Sequence, residues 1–198
     1  MGAAVPFVGL TGGLGAGKST ALEALRRLGA EVISSDAVVH ELYEGDELRD
    51  AVVGRFGEAV APAGVVDRSE VAKRAFADPE DRKWLEGVVW PLVGARVAAW
   101  LESARAQTPA PRAAVVEVPL LFEAGLEGLY DATIAVVSDE EVRARRAAAR
   151  GHALVDERAA RQLTQMEKAA RASFVVHNDG SVDDLQRTLS AVLDKLGG

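Results

Sequence analysis

Residues Gly12–Thr20 read GGLGAGKST and follow the apolar run Val5–Leu10, VPFVGL. Gly12, Gly17, Lys18 and Ser19 satisfy the spacing G-x-x-x-x-G-K-[ST]. That pattern carries chemistry only when a strand enters it and a helix leaves it. Both conditions are met. Val5–Leu10 has the composition of a buried strand, and Lys18–Leu28 sets Leu22, Leu25 and Leu28 on one helical face before Gly29. Glycines let the intervening chain curl so that successive N–H groups converge on an anion. The first helical turn adds partial positive charge. In such a loop Lys18 reaches the outer phosphates of a nucleoside triphosphate, and the Ser19 hydroxyl suits a magnesium ion, a hard cation that prefers oxygen.

Composition narrows the field. The chain has 198 residues, 48% hydrophobic and 27% charged, as expected of one folded domain and not of a disordered segment. The net charge of -7 argues against a nucleic-acid or membrane-surface binder, since phosphate polyanions favour a basic face. Only 5% of residues are aromatic, too few for a base-stacking surface. There is no cysteine, hence no disulfide and no thiolate site, and His40, His152 and His177 lie far apart. The longest apolar stretches are too short to span a bilayer. No basic segment leads into a long apolar run at the N-terminus, so a cytoplasmic location is expected. Nothing in the sequence specifies an oligomeric state.

Strands and helices alternate. Further strands are predicted at Glu31–Ile33, Ala113–Val118, Ala132–Val137 and Phe174–His177. Apolar strands separated by helices predict a parallel sheet covered on both faces. Ser138 with Glu141 and Ser181 with Asp184 fit capping boxes, and Asp78-Pro79-Glu80 reads as a cap with proline in the first turn. Residues 37–106 hold no convincing strand and read as several inserted helices.

The acceptor of the phosphate is the open question. A guanine-specific N-K-x-D element is absent from the sequence. Asp36 follows the second strand, at the carboxyl edge where ligands of such sheets gather. A carboxylate there orients an attacking hydroxyl or accepts its proton. On spacing alone the N-cap of a helix starting near Ala37 is the slightly favoured reading, since Asp is a preferred cap. Glu117 ends a strand apolar on both sides, where a lone carboxylate is costly unless it has a task such as holding a magnesium shell. Glu123, in PLLFEAG, lies just beyond and is expected to face the substrate. Arg143, Arg145, Arg146 and Arg150, then Arg158 and Arg161, form a local basic run in an acidic chain. They read as a phosphate-clamping lid or as a solvated helix face. Within the run, Arg146 and Arg150 are the expected phosphate ligands.

Taken together the motifs resemble the dephospho-coenzyme A kinases. The resemblance runs through GLTGGLGAGKST, GAEVISSD, VVDRSEVAKRAFAD, WLEGVVWPLV, EVPLLFEAGLEGLYD and ERAARQLTQMEKAARASFVVHNDGS. The phosphate loop is shared by many families. VPLLFE and the Arg158, Gln162, Glu167-Lys168 pattern before NDGS are more particular. The resemblance implies an α/β P-loop kinase core, with a parallel five-stranded sheet flanked by helices. It also implies a helical substrate-binding insert at about 37–106 and a small lid at about 146–165. It implies ATP and Mg2+ as cofactor and metal, held by Gly15, Ala16, Gly17, Lys18, Ser19, Thr20 and Arg150, with Ser19 and Glu117 on the metal. Dephospho-coenzyme A is the implied acceptor, met by Asp36, Leu120 and Glu123, and Lys18, Asp36 and Arg146 are the implied catalytic residues. No nucleic-acid or membrane partner is expected.

Two positions depart from the family pattern. Ser34 stands where an Asp-x-Asp pair would begin, leaving Asp36 as the only carboxylate there. Trp90 stands before Pro91 where the family favours His-Pro, and its size points to packing. Two other readings are open to the sequence alone. One is a P-loop kinase acting on a nucleoside monophosphate or small alcohol. The other is a nucleotide-dependent regulatory protein that does not turn over.

Overall fold

The computed structural model describes residues 4–143 and 162–197. Strands β1 (Phe7–Gly12), β2 (Glu31–Ser34), β3 (Ala114–Glu117), β4 (Ala132–Val137) and β5 (Phe174–His177) form one sheet in the order β2-β3-β1-β4-β5. Every pairing is parallel. The sheet has the predicted class and its strands lie where predicted, with β2 one residue longer, β3 one residue shorter at each end, and a larger shift in β1. Strand β1 begins and ends two residues later than its hydropathy suggests, because Thr11 and Gly12 continue the ladder opposite Ala135 and Val136.

By compactness the chain divides into two units, Met1–Ser34 with Leu101–Gly198, and Ser35–Trp100. The sheet belongs to the first. Its alternating side chains explain why both faces are apolar. Val8, Leu10, Val115, Ile134, Val136 and Val176 turn to one face, against α1 (Lys18–Arg27) and the C-terminal helix Val182–Gly197. Leu25, Leu185, Leu189 and Leu193 from these helices are almost wholly buried. The other face receives the segment after β3. A Cβ on Gly9 would sit 2.5 Å from Leu121 Cδ1 and 3.0 Å from the Tyr130 ring, so only glycine admits this approach. Ser181 and Asp184 form the predicted capping box at the start of the C-terminal helix.

The second unit is helical, with no strand in residues 35–100. It holds α2 (Ser35–Glu44), α3 (Asp46–Phe56), α4 (Arg68–Ala77) and most of α5 (Pro79–Arg105). Its own core gathers Leu48, Val52, Val60, Val71 and Val89. Asp67 caps α4 through the Ser69 and Glu70 amides, and Asp78 accepts from the Glu80 amide at the start of α5, as its sequence predicts. Trp90 does not pack as predicted: it is 58% exposed. Trp84, Leu85, Val88, Val89, Leu92 and Val93 form the core-facing stripe of α5. Helical spacing then turns position 90 outward. The packing tryptophan is Trp84, edge-on to Phe56 at 5.6 Å.

These contacts set an order of costs. Leu189→Ala, at a site with 0% exposure, is expected to lower the unfolding free energy by about 2–5 kcal/mol. Trp90→Ala is expected to change it by no more than about 0.5 kcal/mol. Urea denaturation of both variants checks this.

Candidate active site

The strand β1 runs into residues 13–17 and then into α1, as the glycine pattern requires. Gly15 and Gly17 have φ of +76° and +89°, in the left-handed region that glycine occupies without strain. Gly17 precedes α1 and supplies no side-chain cap. The first turn therefore takes no side-chain acceptor from its N-cap residue, the arrangement in which helix N-termini receive anions. Ser19 is exposed on that turn, and Ala16 is buried beneath the loop.

The carbonyls of the loop are held by side chains. Lys18 Nζ donates to the Gly12 and Gly13 carbonyls at 3.1 and 3.3 Å. Arg143 Nε donates to the Leu14 carbonyl at 3.0 Å. Asn178 Nδ2 donates to the Ala16 carbonyl at 2.9 Å from a position only 4% exposed. Gln165 grips the Ser138 backbone twice: it accepts from the amide and donates to the carbonyl, each at 2.9 Å. Asp179 accepts from the Ser138 hydroxyl at 2.9 Å. The predicted Ser138–Glu141 box therefore does not form. Asp139 takes the capping position, accepting from the Glu141 amide, because the Ser138 hydroxyl is drawn to Asp179 and the Asn178 carbonyl.

The acidic candidates stand on different elements. Glu117 ends β3, in register with Leu10 on β1 and with Ser34 on β2. Its neighbours Ala114, Val115 and Val116 are buried, as the sequence predicts. The departure at Ser34 thus lies on the strand beside Glu117. Asp36 is exposed in the first turn of α2, which starts at Ser35, so it sits inside the helix and not at its cap. Leu120 is 43% exposed. Glu123 turns inward: its Oε1 is 3.0 Å from Lys168 Nζ and accepts from the Leu163 amide at 2.8 Å. Burial pushes the Lys168 ammonium down from the usual lysine range, and Glu123 opposes that shift. Arg146 and Arg150 lie outside the described residues, as does most of the segment expected as a lid.

Among the described residues no group of three or more His, Asp or Glu is placed to cage a metal. A magnesium ion that keeps several waters and binds through nucleotide oxygens needs only one or two protein oxygens. The Ser19 hydroxyl and Glu117 carboxylate are donors of that kind.

Sequence reasoning missed Asn178 and Gln165, and passed over Arg143 in favour of its neighbours. A weak signal was present: Asn178 is the only asparagine in the chain, and it lies in NDGS.

A family model for dephospho-CoA kinase matches residues 6–184. The chain belongs to the dephospho-CoA kinase family. A dephospho-CoA kinase of Anaeromyxobacter dehalogenans is 40% identical over 196 residues, covering 96% of this chain and 92% of that one. One from Thermus thermophilus is 40% identical over 195 residues, covering 97% and 92%. A crystal structure from Thermus thermophilus superposes with a TM-score of 0.83 at 38% identity, over 99% of this chain and 100% of that one. The dephospho-CoA kinase of Campylobacter jejuni has the same fold, with a TM-score of 0.69 at 23% identity and 96% of each chain covered. Members of the family are ATP-dependent kinases.

The carbonyl anchors are expected to govern nucleotide binding. Asn178→Ala leaves the Ala16 carbonyl without its donor and should weaken binding of an ATP analogue by about 10-fold, the effect of one lost buried hydrogen bond. Gly15→Ala sets a Cβ 2.7 Å from the Arg143 carbonyl and should abolish detectable binding. Titration with a fluorescent ATP analogue checks both.

Proposed function

We propose that this protein transfers the γ-phosphoryl group of ATP to the ribose 3′-hydroxyl of dephospho-coenzyme A, giving coenzyme A and ADP. The observation that carries this reading is an intact, uncapped phosphate loop in a chain that matches its family from residue 6 to residue 184.

The residues divide the work by position. Gly15, Ala16, Gly17, Lys18, Ser19 and Thr20 receive the phosphate oxygens through N–H groups, with Lys18 adding charge at the γ-phosphate. Ser19 and Glu117 would hold a magnesium ion, which would supply neutralisation of charge on the phosphates. Asp36 accepts the proton of the 3′-hydroxyl as its oxygen bonds to the γ-phosphorus, and the bond from that phosphorus to the β–γ bridging oxygen breaks. Arg146 and Arg150 act on the transferring phosphoryl group, where their charge offsets the charge that develops. Leu120 lies on the acceptor side. Residues at about 37–106 serve as the acceptor-binding insert and residues at about 146–165 as the lid. Among the described residues no helix is long and apolar enough to cross a membrane, and the -7 charge gives no footprint for nucleic acid. The expected setting is the cytoplasm.

The direct test is ADP release with magnesium and ATP, in the presence and absence of dephospho-coenzyme A. Strong dependence on the acceptor, with coenzyme A as product, supports the reading. ATP binding without such dependence overturns it in favour of a regulatory role. Lys18→Ala should abolish most transfer. Asp36→Asn should lower kcat by about 10²-fold if it is the base, and near-normal turnover would remove that role. Ser34→Asp places a second carboxylate on the strand beside Glu117. It is expected to lower the magnesium concentration needed for half-maximal rate, read from a magnesium titration at fixed ATP.

A further inference from the structure

Lys168 has 0% exposure, and a buried ammonium persists only where its donors are met. It donates to the Pro119 carbonyl at 2.6 Å, pairs with Glu123 Oε1 at 3.0 Å, and lies 3.5 Å from Thr11 Oγ1. Thr11 Oγ1 in turn donates to the same Pro119 carbonyl at 3.2 Å. Glu123 Oε1 also accepts from the Leu163 amide. One ion pair therefore joins the end of β1, both ends of the segment Pro119–Glu123, and the chain leading into the helix Gln165–Arg171. Between the two pinned positions lies Leu120, 43% exposed. The nearby Arg171 is committed to Glu127 and stacks over the Phe122 ring at 4.9 Å, leaving Lys168 as the cation paired with Glu123 among the described residues.

None of this network touches the carbonyls of Gly12, Gly13, Leu14 or Ala16, which Lys18, Arg143 and Asn178 hold. The buried pair thus acts directly on the segment after β3, and reaches the phosphate loop only by way of Thr11 and the helix that carries Gln165. We propose that Lys168 and Glu123 are positioning residues for the acceptor: their ion pair sets the placement of Pro119–Glu123, so that Leu120 meets dephospho-coenzyme A in register for transfer. This rests on the acceptor assigned under Proposed function. It replaces a direct contact from Glu123 to substrate with an indirect one.

The test uses the full chain with Lys168→Met, Glu123→Gln and the double variant, in steady-state assays with each substrate varied in turn. A misplaced segment is expected to lower kcat/KM for dephospho-coenzyme A by on the order of 10²-fold, with ATP-analogue affinity within about 3-fold of the parent protein. The double variant, a neutral pair of similar shape, should recover at least about 10-fold over Lys168→Met. Should Lys168→Met fail to fold, Glu123→Gln decides the matter by the same substrate split. Its loss should shrink as pH rises, because the unpaired ammonium sheds its proton. Equal losses for ATP and acceptor, or acceptor kinetics within 2-fold of the parent, overturn the proposal while leaving the kinase reading intact. A parent protein without acceptor-dependent ADP release overturns both.

Discussion

The structure depends on the backbone carbonyls of the phosphate loop being held. An N–H group points toward a ligand only when its peptide plane is fixed, and the other end of that plane is a carbonyl. Lys18, Arg143 and Asn178 fix those of Gly12, Gly13, Leu14 and Ala16. Glycine at positions 15 and 17 permits the left-handed turns, but permission alone leaves many conformations open. The side-chain donors select one. Gln165 and Asp179 then secure the chain after β4, from which Arg143 comes. Arg143, Asn178, Gln165 and Asp179 thus shape the loop from outside it.

The strand edge shows a second economy. Parallel pairing sets Ser34, Glu117 and Leu10 side by side on β2, β3 and β1. Their side chains are ordered by register and not by any local signal. The Ser34 departure therefore changes the charge beside Glu117 without altering the ladder. Asp36 falls on the other compact unit, in the first turn of a helix where a carboxylate is favoured by the helix dipole. Its proposed catalytic role and its local stability do not compete.

Much of this was legible in the sequence for a physical reason. Strand β4 and strand β5 were bounded correctly because apolar runs flanked by turn residues leave little choice. The capping pairs at Asp78 and at Ser181 were legible because a cap is a local bond. Ser138 broke the rule because partners 40 residues away outcompeted the local box. Asn178 is 162 residues from Ala16, and Lys168 is 157 from Thr11, so no window of sequence contains either contact. Trp90 was misread for a different reason. Hydropathy reported its size, whereas the stripe of Trp84, Leu85, Val88, Val89 and Leu92 decided which way it faced.

The span between Ala16 and Asn178 bears on how the protein comes into being. Synthesis delivers GGLGAGKST before either strand that pairs with β1, Ala114–Glu117 or Ala132–Val137, has been made. Contacts of such separation are entropically late in folding. The amide that holds the Ala16 carbonyl arrives later still. A nascent chain stopped short of residue 178 carries the complete phosphate-loop signature and lacks one of the donors that shape it. The shape of the loop is in this sense a property of a chain that already includes residue 178.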